Sequence, residues 1–122
     1  MNILDENFPE SQCQLLEKWR SFEPYKRILM IANETGRAKA LIEGGHVDDV
    51  MDCYERALEL FEITLEAGRI ENVSADILAG LRRLRERTAG LLSERKLDPR
   101  ENNNIRESLI RLDSEAHNLC KT

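Results

Sequence analysis

Aromatic residues make up only 5% of the 122 positions, and proline occurs three times. A β-sandwich or barrel draws on β-branched and aromatic residues and on frequent Gly/Pro turns, so that scarcity excludes one. Long apolar runs are missing as well. No stretch approaches 18 consecutive apolar residues, and no segment reads as a membrane span. Cysteine is sparse: Cys13, Cys53 and Cys120 are an odd number, and no two lie closer than 40 positions. No Cys-x-x-Cys or Cys/His zinc spacing exists, so a reduced, cytoplasmic protein is expected. The opening MNILDENFPES has acids and no basic stretch leading into an apolar one, so it does not read as a signal peptide. An excess of positive charge is also lacking. Net charge is −5, which disfavours nucleic acid as partner, because phosphate binding rests on clustered Lys and Arg.

What is present is helical period. Hydrophobic residues reach 41% and charged residues 34%, and a chain of this length forms one domain spanning residues 1–122. Asn7 as cap, Pro9 in the first turn and Glu10 open a short helix at about 9–21, with Leu15, Leu16, Trp19 and Phe22 as its apolar face. Ile28, Ile31, Thr35, Ala38 and Ile42 step by three and four, predicting a helix over 24–43 that Gly44-Gly45 stops. Gly36 marks a place where this helix can break. Val47, Val50, Tyr54, Ala57, Phe61 and Thr64 predict a third helix over 46–67, with Gly68 just past its end. Ser74 caps a fourth over 75–95, whose face is Ile77, Leu81, Leu84, Thr88 and Leu91. Asp98-Pro99 opens a fifth over 99–120, with Ile105, Leu109, Leu112, Ala116 and Leu119. Short links between long amphipathic helices force antiparallel neighbours. The expected fold is therefore all-α: an antiparallel up-down four-helix bundle with an additional short N-terminal helix.

Charge is segregated along this frame. Residues 46–66 hold seven acids and one base, and six of the acids step by four and three. Asp48, Asp52, Glu55, Glu59, Glu62 and Glu66 thus form one stripe on the third helix. Segment 82–100 reverses the balance, with seven bases against three acids, and Arg82, Arg83, Arg85 and Arg87 lead it. Two uses are open. The stripes pair with each other across neighbouring helices, or one of them docks an oppositely charged partner or second copy.

Catalytic and metal signals are weak. Asp113 and His117 are a lone pair at i,i+4, and no Glu-x-x-His repeat occurs. No serine or cysteine has a nucleophile context, and Gly44-Gly45-His46 lacks the pattern of a phosphate loop. The segment GGHVDDVMDCYERALEL resembles the second half of a tetratricopeptide helix pair through Gly45, Tyr54, Ala57 and Leu58. Val50 stands where that family wants a small residue, and nothing recurs at about 34 residues, so no repeat array is implied. The opening MNILDENFPESQ resembles the start of small PIN-like nuclease-related proteins, in which Asp5 would match a metal-binding acid. The strands and later acids of that fold are absent, and no role passes to Asp5.

The sequence thus reads as a small cytoplasmic interaction or self-associating adaptor protein, without catalytic activity, cofactor or metal. Its expected partner is another protein or a second copy of the chain. Surplus apolar residues, Met51, Leu58, Leu65, Leu78 and Leu92 beside the main rows, argue for a dimer unless the first helix covers them. The alternative is a bundle enzyme or ligand-binding domain, which requires inward-facing carboxylates or histidine between helices.

Overall fold

The computed structural model describes residues 10–113, with side chains from Gln14 onward. Among the described residues there are five helices and no strand: α1 (Glu10–Arg20), α2 (Pro24–Glu43), α3 (Val47–Ile70), α4 (Ala75–Ser93) and α5 (Pro99–Leu112). The caps follow from residue chemistry. Ser74 accepts the Asp76 amide at 3.3 Å, and Asp98 accepts the Glu101 amide at 3.0 Å with Pro99 behind it.

Three helices end in the same way. The amides of His46, Val73 and Lys96 reach back to the carbonyls of Leu41, Gly68 and Leu91 at 2.9–3.0 Å. In each case the preceding residue is left-handed: Gly45 at φ 73, Asn72 at φ 55 and Arg95 at φ 48. This is the Schellman arrangement, which satisfies carbonyls that the helix itself leaves open.

The boundaries differ from expectation in three places. Gly68 does not end α3. It is buried inside the helix, where an added Cβ would lie 2.8 Å from Leu78 Cδ2. Its smallness lets α4 approach, while Asn72 takes the left-handed position. α2, by contrast, keeps its expected bounds and runs unbroken through Gly36. α4 stops at Ser93 rather than near residue 95, because Arg95 turns left-handed. α5 stops at Leu112, where Asp113 adopts extended backbone; aspartate is a poor helix-interior residue because its side chain competes for backbone hydrogen bonds. Asp5, the Asn7 cap, Ala116, His117, Leu119, Cys120 and the side chain of Cys13 lie outside the described residues.

Within the four long helices, α2 packs against α3 and α5, and α4 packs against α3 and α5. They close a ring around one apolar core that includes Ile31, Ala38, Val50, Ala57, Phe61, Leu81, Ile105 and Leu109. Nearly all of the expected rows are buried there. α1 lies against α3 and forms a separate cluster, Leu16 and Trp19 on Ile63 and Ala67. No described helix is long and apolar enough to cross a membrane.

Candidate functional site

The outer face of α3 is acidic. Asp48, Asp52, Glu55, Glu59 and Glu62 are exposed, and Glu66 is half-buried. All six lie opposite the buried Val50, Tyr54, Ala57 and Phe61. α4 lies alongside, and the arginines of α4 and of the link after it divide into two sets. Arg85 reaches Glu62 at 2.7 Å, and Arg95 bonds Asp48, so these pairs close the seam between α3 and α4. Arg87 turns the other way and pairs with Glu101 of α5. Glu66 pairs within its own helix with Arg69. Arg82 and Arg83 are exposed and have no ion pair among the described residues, and the same holds for Asp52, Glu55 and Glu59. The structure therefore joins only the edges of the two stripes.

Between the end of α4 and the start of α5 runs an open groove of about 410 Å³. Arg87, Lys96 and Arg100 supply its cations and Glu94, Asp98 and Glu101 its acids, with Gly90 and Leu91 among the lining residues. Two of those acids are committed: Glu101 to Arg87, and Asp98 to the cap of α5. An added Cβ at Gly90 would meet nothing within 4 Å, so the groove stays open on that side.

The interior holds polar groups that the charge pattern does not reveal. The Tyr54 hydroxyl donates to Asn102 Oδ1 at 2.9 Å, and Asn102 Nδ2 donates to the Thr35 carbonyl at 3.0 Å. Burial pushes the Tyr54 hydroxyl up to about 12. Arg27 is only 2% exposed. Its guanidinium donates to the carbonyls of Trp19 and Arg20, each at 3.0 Å, and to both oxygens of Glu71 at 2.9 and 3.1 Å. That bond to Arg27 is the main reason the Glu71 carboxyl is held below the usual glutamate value. Glu34 is buried between Arg37 at 2.9 Å and Arg56 at 3.1 Å. Cys53 is buried and free, and burial pushes its thiol up.

These residues do carry a sequence signal. Positions 27, 31, 34 and 38 step by four, three and four, and Asn102 precedes Ile105 and Leu109 on one row. Polar residues at row positions of an amphipathic helix are candidates for buried hydrogen bonding. No buried side-chain nitrogen or oxygen lacks a partner, and no cluster of metal-ligating residues occurs among the described residues. The groups the interior contains are thus engaged in holding helices together.

The surplus apolar residues have found cover. Met51 is buried, while Leu58, Leu65 and Leu92 pack partly buried against the main core. Leu78 lies over Gly68. The only large hydrophobic classed as exposed among the described residues is Met30, at 38%. An exposed apolar patch, the original ground for a dimer, is not found there. Comparison with family models, with curated proteins and with solved structures finds no match to this chain.

Proposed function

We propose that this chain is a protein-interaction module whose recognition is electrostatic, made by charged outer helix faces on a satisfied interior. One observation carries the reading. After the α3–α4 seam has closed, Asp52, Glu55 and Glu59 on one face and Arg82 and Arg83 on another have no ion pair among the described residues. Such charges steer encounter and set orientation more than they add affinity, which suits an adaptor that binds reversibly. The frame suits it too. The links at 44–46, 71–74 and 94–98 are short, so we infer that direction alternates around the ring, as in an up-down bundle with α1 added outside. Long neighbouring helices hold each charged row rigid. A cytoplasmic setting agrees with the buried, free Cys53.

The ligand-binding or enzymatic alternative gains no support from the interior. Its polar groups include Tyr54, Asn102, Thr35, Thr64, Thr88, Arg27 and Glu34, and each of these is hydrogen-bonded within the chain.

Site-specific photo-crosslinkers test the proposal. Placed at Glu55 and at Arg83 in the host cell, they should each give discrete protein adducts, while a crosslinker at the exposed Lys39 of α2 gives none. No adducts at the first two positions, or equal adducts at all three, would overturn it.

A further inference from the structure

We infer that the segment after α5, residues 114–122, folds back over one end of the ring and seats Leu119 in an apolar pocket there. The pocket forms where helix ends meet. The opening turns of α2 supply Ile28, the link after α3 supplies Val73, and the opening turns of α4 supply Ile77, Leu78 and Leu81. Its walls are almost wholly apolar. Two buried polar side chains also line it, and both are engaged: Thr64 accepts the Trp19 indole N–H at 2.8 Å, and Arg27 holds Glu71. Water in the pocket would find few partners, so the site favours an aliphatic group.

Size selects the occupant. At about 20 Å³ the pocket is far below the roughly 300–1,000 Å³ of a small-molecule site. It exceeds the about 10–15 Å³ that one water needs, and it takes the end of a single side chain. Ile28 and Leu81 are buried, whereas Val73, Ile77 and Leu78 are only half-buried. Aliphatic surface in the walls is thus still open to cover.

The chain itself delivers the group. Asp113, the last described residue, also lines the pocket. Its backbone is extended, at φ −123 and ψ 126, so the chain leaves the helical path beside the pocket. Residues 114–122 read SEAHNLCKT, in which Leu119 is the one large aliphatic side chain. It lies six residues beyond Asp113, a stretch that spans about 20 Å when extended. That is ample for the chain to reverse and return. Tethering at the pocket keeps the local concentration of Leu119 high, which favours it over a free occupant of the same chemistry. A second copy lacks that advantage, and a net charge of −5 opposes its approach. This docking uses none of the charges of the interaction reading, so either can fail without the other.

Methyl resonances of the full chain test it. With Ile, Leu and Val methyl groups labelled, those of Leu119 should show nuclear Overhauser contacts to those of Val73 and Ile77. Leu119→Ala identifies the signals. In that variant the Val73 amide, which bonds the Gly68 carbonyl at 2.9 Å, should exchange faster by about tenfold, the factor that covering most of a leucine supplies. Leu119→Met keeps a similar apolar volume and should restore slow exchange. Both substitutions lie outside the helices of the ring, and circular dichroism should show unchanged helix content. Dissolved xenon should shift the Val73 and Ile77 methyl signals of Leu119→Ala but not those of the wild type. Absence of the Leu119 contacts would overturn the inference, as would Val73 exchange that ignores Leu119→Ala. Equal xenon shifts in both chains would show the pocket unfilled and overturn it too. So would contacts that, in a mixture of labelled and unlabelled chains, arise only between copies.

Discussion

The ring of α2–α5 and the attachment of α1 hold together by different means. The ring is built from area. Four helices contribute apolar rows to one core, and the deep polar contact, Tyr54 with Asn102 and the Thr35 carbonyl, is closed on itself. α1 packs on α3 through a small cluster around Leu16 and Trp19. Direction makes up for the missing area. Trp19 donates its indole N–H to Thr64 at 2.8 Å, and Arg27 ties the last carbonyls of α1 to Glu71 in the link after α3. Where apolar area is large, position follows from burial. Where it is small, a few hydrogen bonds of fixed geometry must set it.

The comparison breaks most readily in the ring. Phe61 is fully buried at mid-helix, and Phe61→Ala should cost about 3–5 kcal/mol from lost burial and the cavity left behind. Leu109→Ala should cost about 2–5 kcal/mol for the same reason. Denaturant midpoints by circular dichroism decide it. Unchanged midpoints would mean that burial does not hold the ring.

Arg27→Met should act on the other region. It strands two carbonyls and leaves Glu71 without its main partner, at about 2–3 kcal/mol, because hydrogen bonds to charged groups are worth more than neutral ones. The loss should fall mainly on α1. Trp19 is the only tryptophan, so its fluorescence reports α1 docking while circular dichroism reports the ring. The fluorescence transition should move to lower denaturant and part from the helical one. Coincident transitions would show α1 and the ring to be a single cooperative unit.

Tyr54→Phe tests whether the polar contact inside the ring matters beyond area. It keeps the ring carbon atoms and leaves Asn102 Oδ1 buried without the hydroxyl, a loss of about 1–3 kcal/mol. The tyrosine also gives an alkaline signature. Burial moves its value from 10.0 to about 12, so its contribution is complete below pH 10 and is lost as pH rises through that higher value. The variant should lack this component of alkaline unfolding.

These cases show what the sequence makes legible. The rows of three-and-four spacing name the ring: Ile31, Thr35, Ala38, Val50, Tyr54, Ala57, Phe61, Leu84 and Leu109 are all buried as their period requires. The charge segregation is legible too, but not its division into seam pairs and unpaired faces, which depends on which flank of α4 turns toward α3. The Arg27 clasp was hidden because an arginine in a row reads as an interruption until its partners are placed. They come from two places, the end of α1 seven and eight residues away and the link after α3 forty-four residues away. Gly68 is ambiguous in the sequence for a related reason. A glycine near a helix end has two uses, a left-handed turn or a close approach, and only the position of Leu78 decides between them.

Acid should reach the α1 attachment before the ring. The Glu71 carboxyl is held below its usual value of 4.5, first by its hydrogen bond from Arg27. Its contribution is therefore complete above pH 4.5 and is lost as pH falls through the depressed value. Trp19 fluorescence should change in that window while helix content persists, and Arg27→Met should abolish the early step. Simultaneous loss of both signals in the wild type would remove the distinction between the two regions.

The smallest effect should come from the link after α4 and should have the opposite sign. Arg95 ends that helix at φ 48, a conformation that costs an ordinary L-residue about 1–2 kcal/mol. Gly45 fills the equivalent place after α2 with φ 73 and carries no such cost. Against this, Arg95 pairs with Asp48, but both side chains are exposed, and such a pair is worth about 0–1 kcal/mol. Glycine also gains freedom in the unfolded chain, which takes back about 0.5–1 kcal/mol. The balance favours Arg95→Gly by about 0.5 kcal/mol, whereas Gly45→Ala should destabilise by about 1 kcal/mol, since alanine must then adopt the left-handed turn. Both substitutions lie in ring links and touch nothing in α1. The circular dichroism midpoint should therefore rise for the first and fall for the second, and in Arg95→Gly the acid-induced step in Trp19 fluorescence should stay where it is. A fall in the midpoint of Arg95→Gly would mean that the pair with Asp48 outweighs the backbone, and that the α3–α4 seam is held by charge more firmly than its exposure implies.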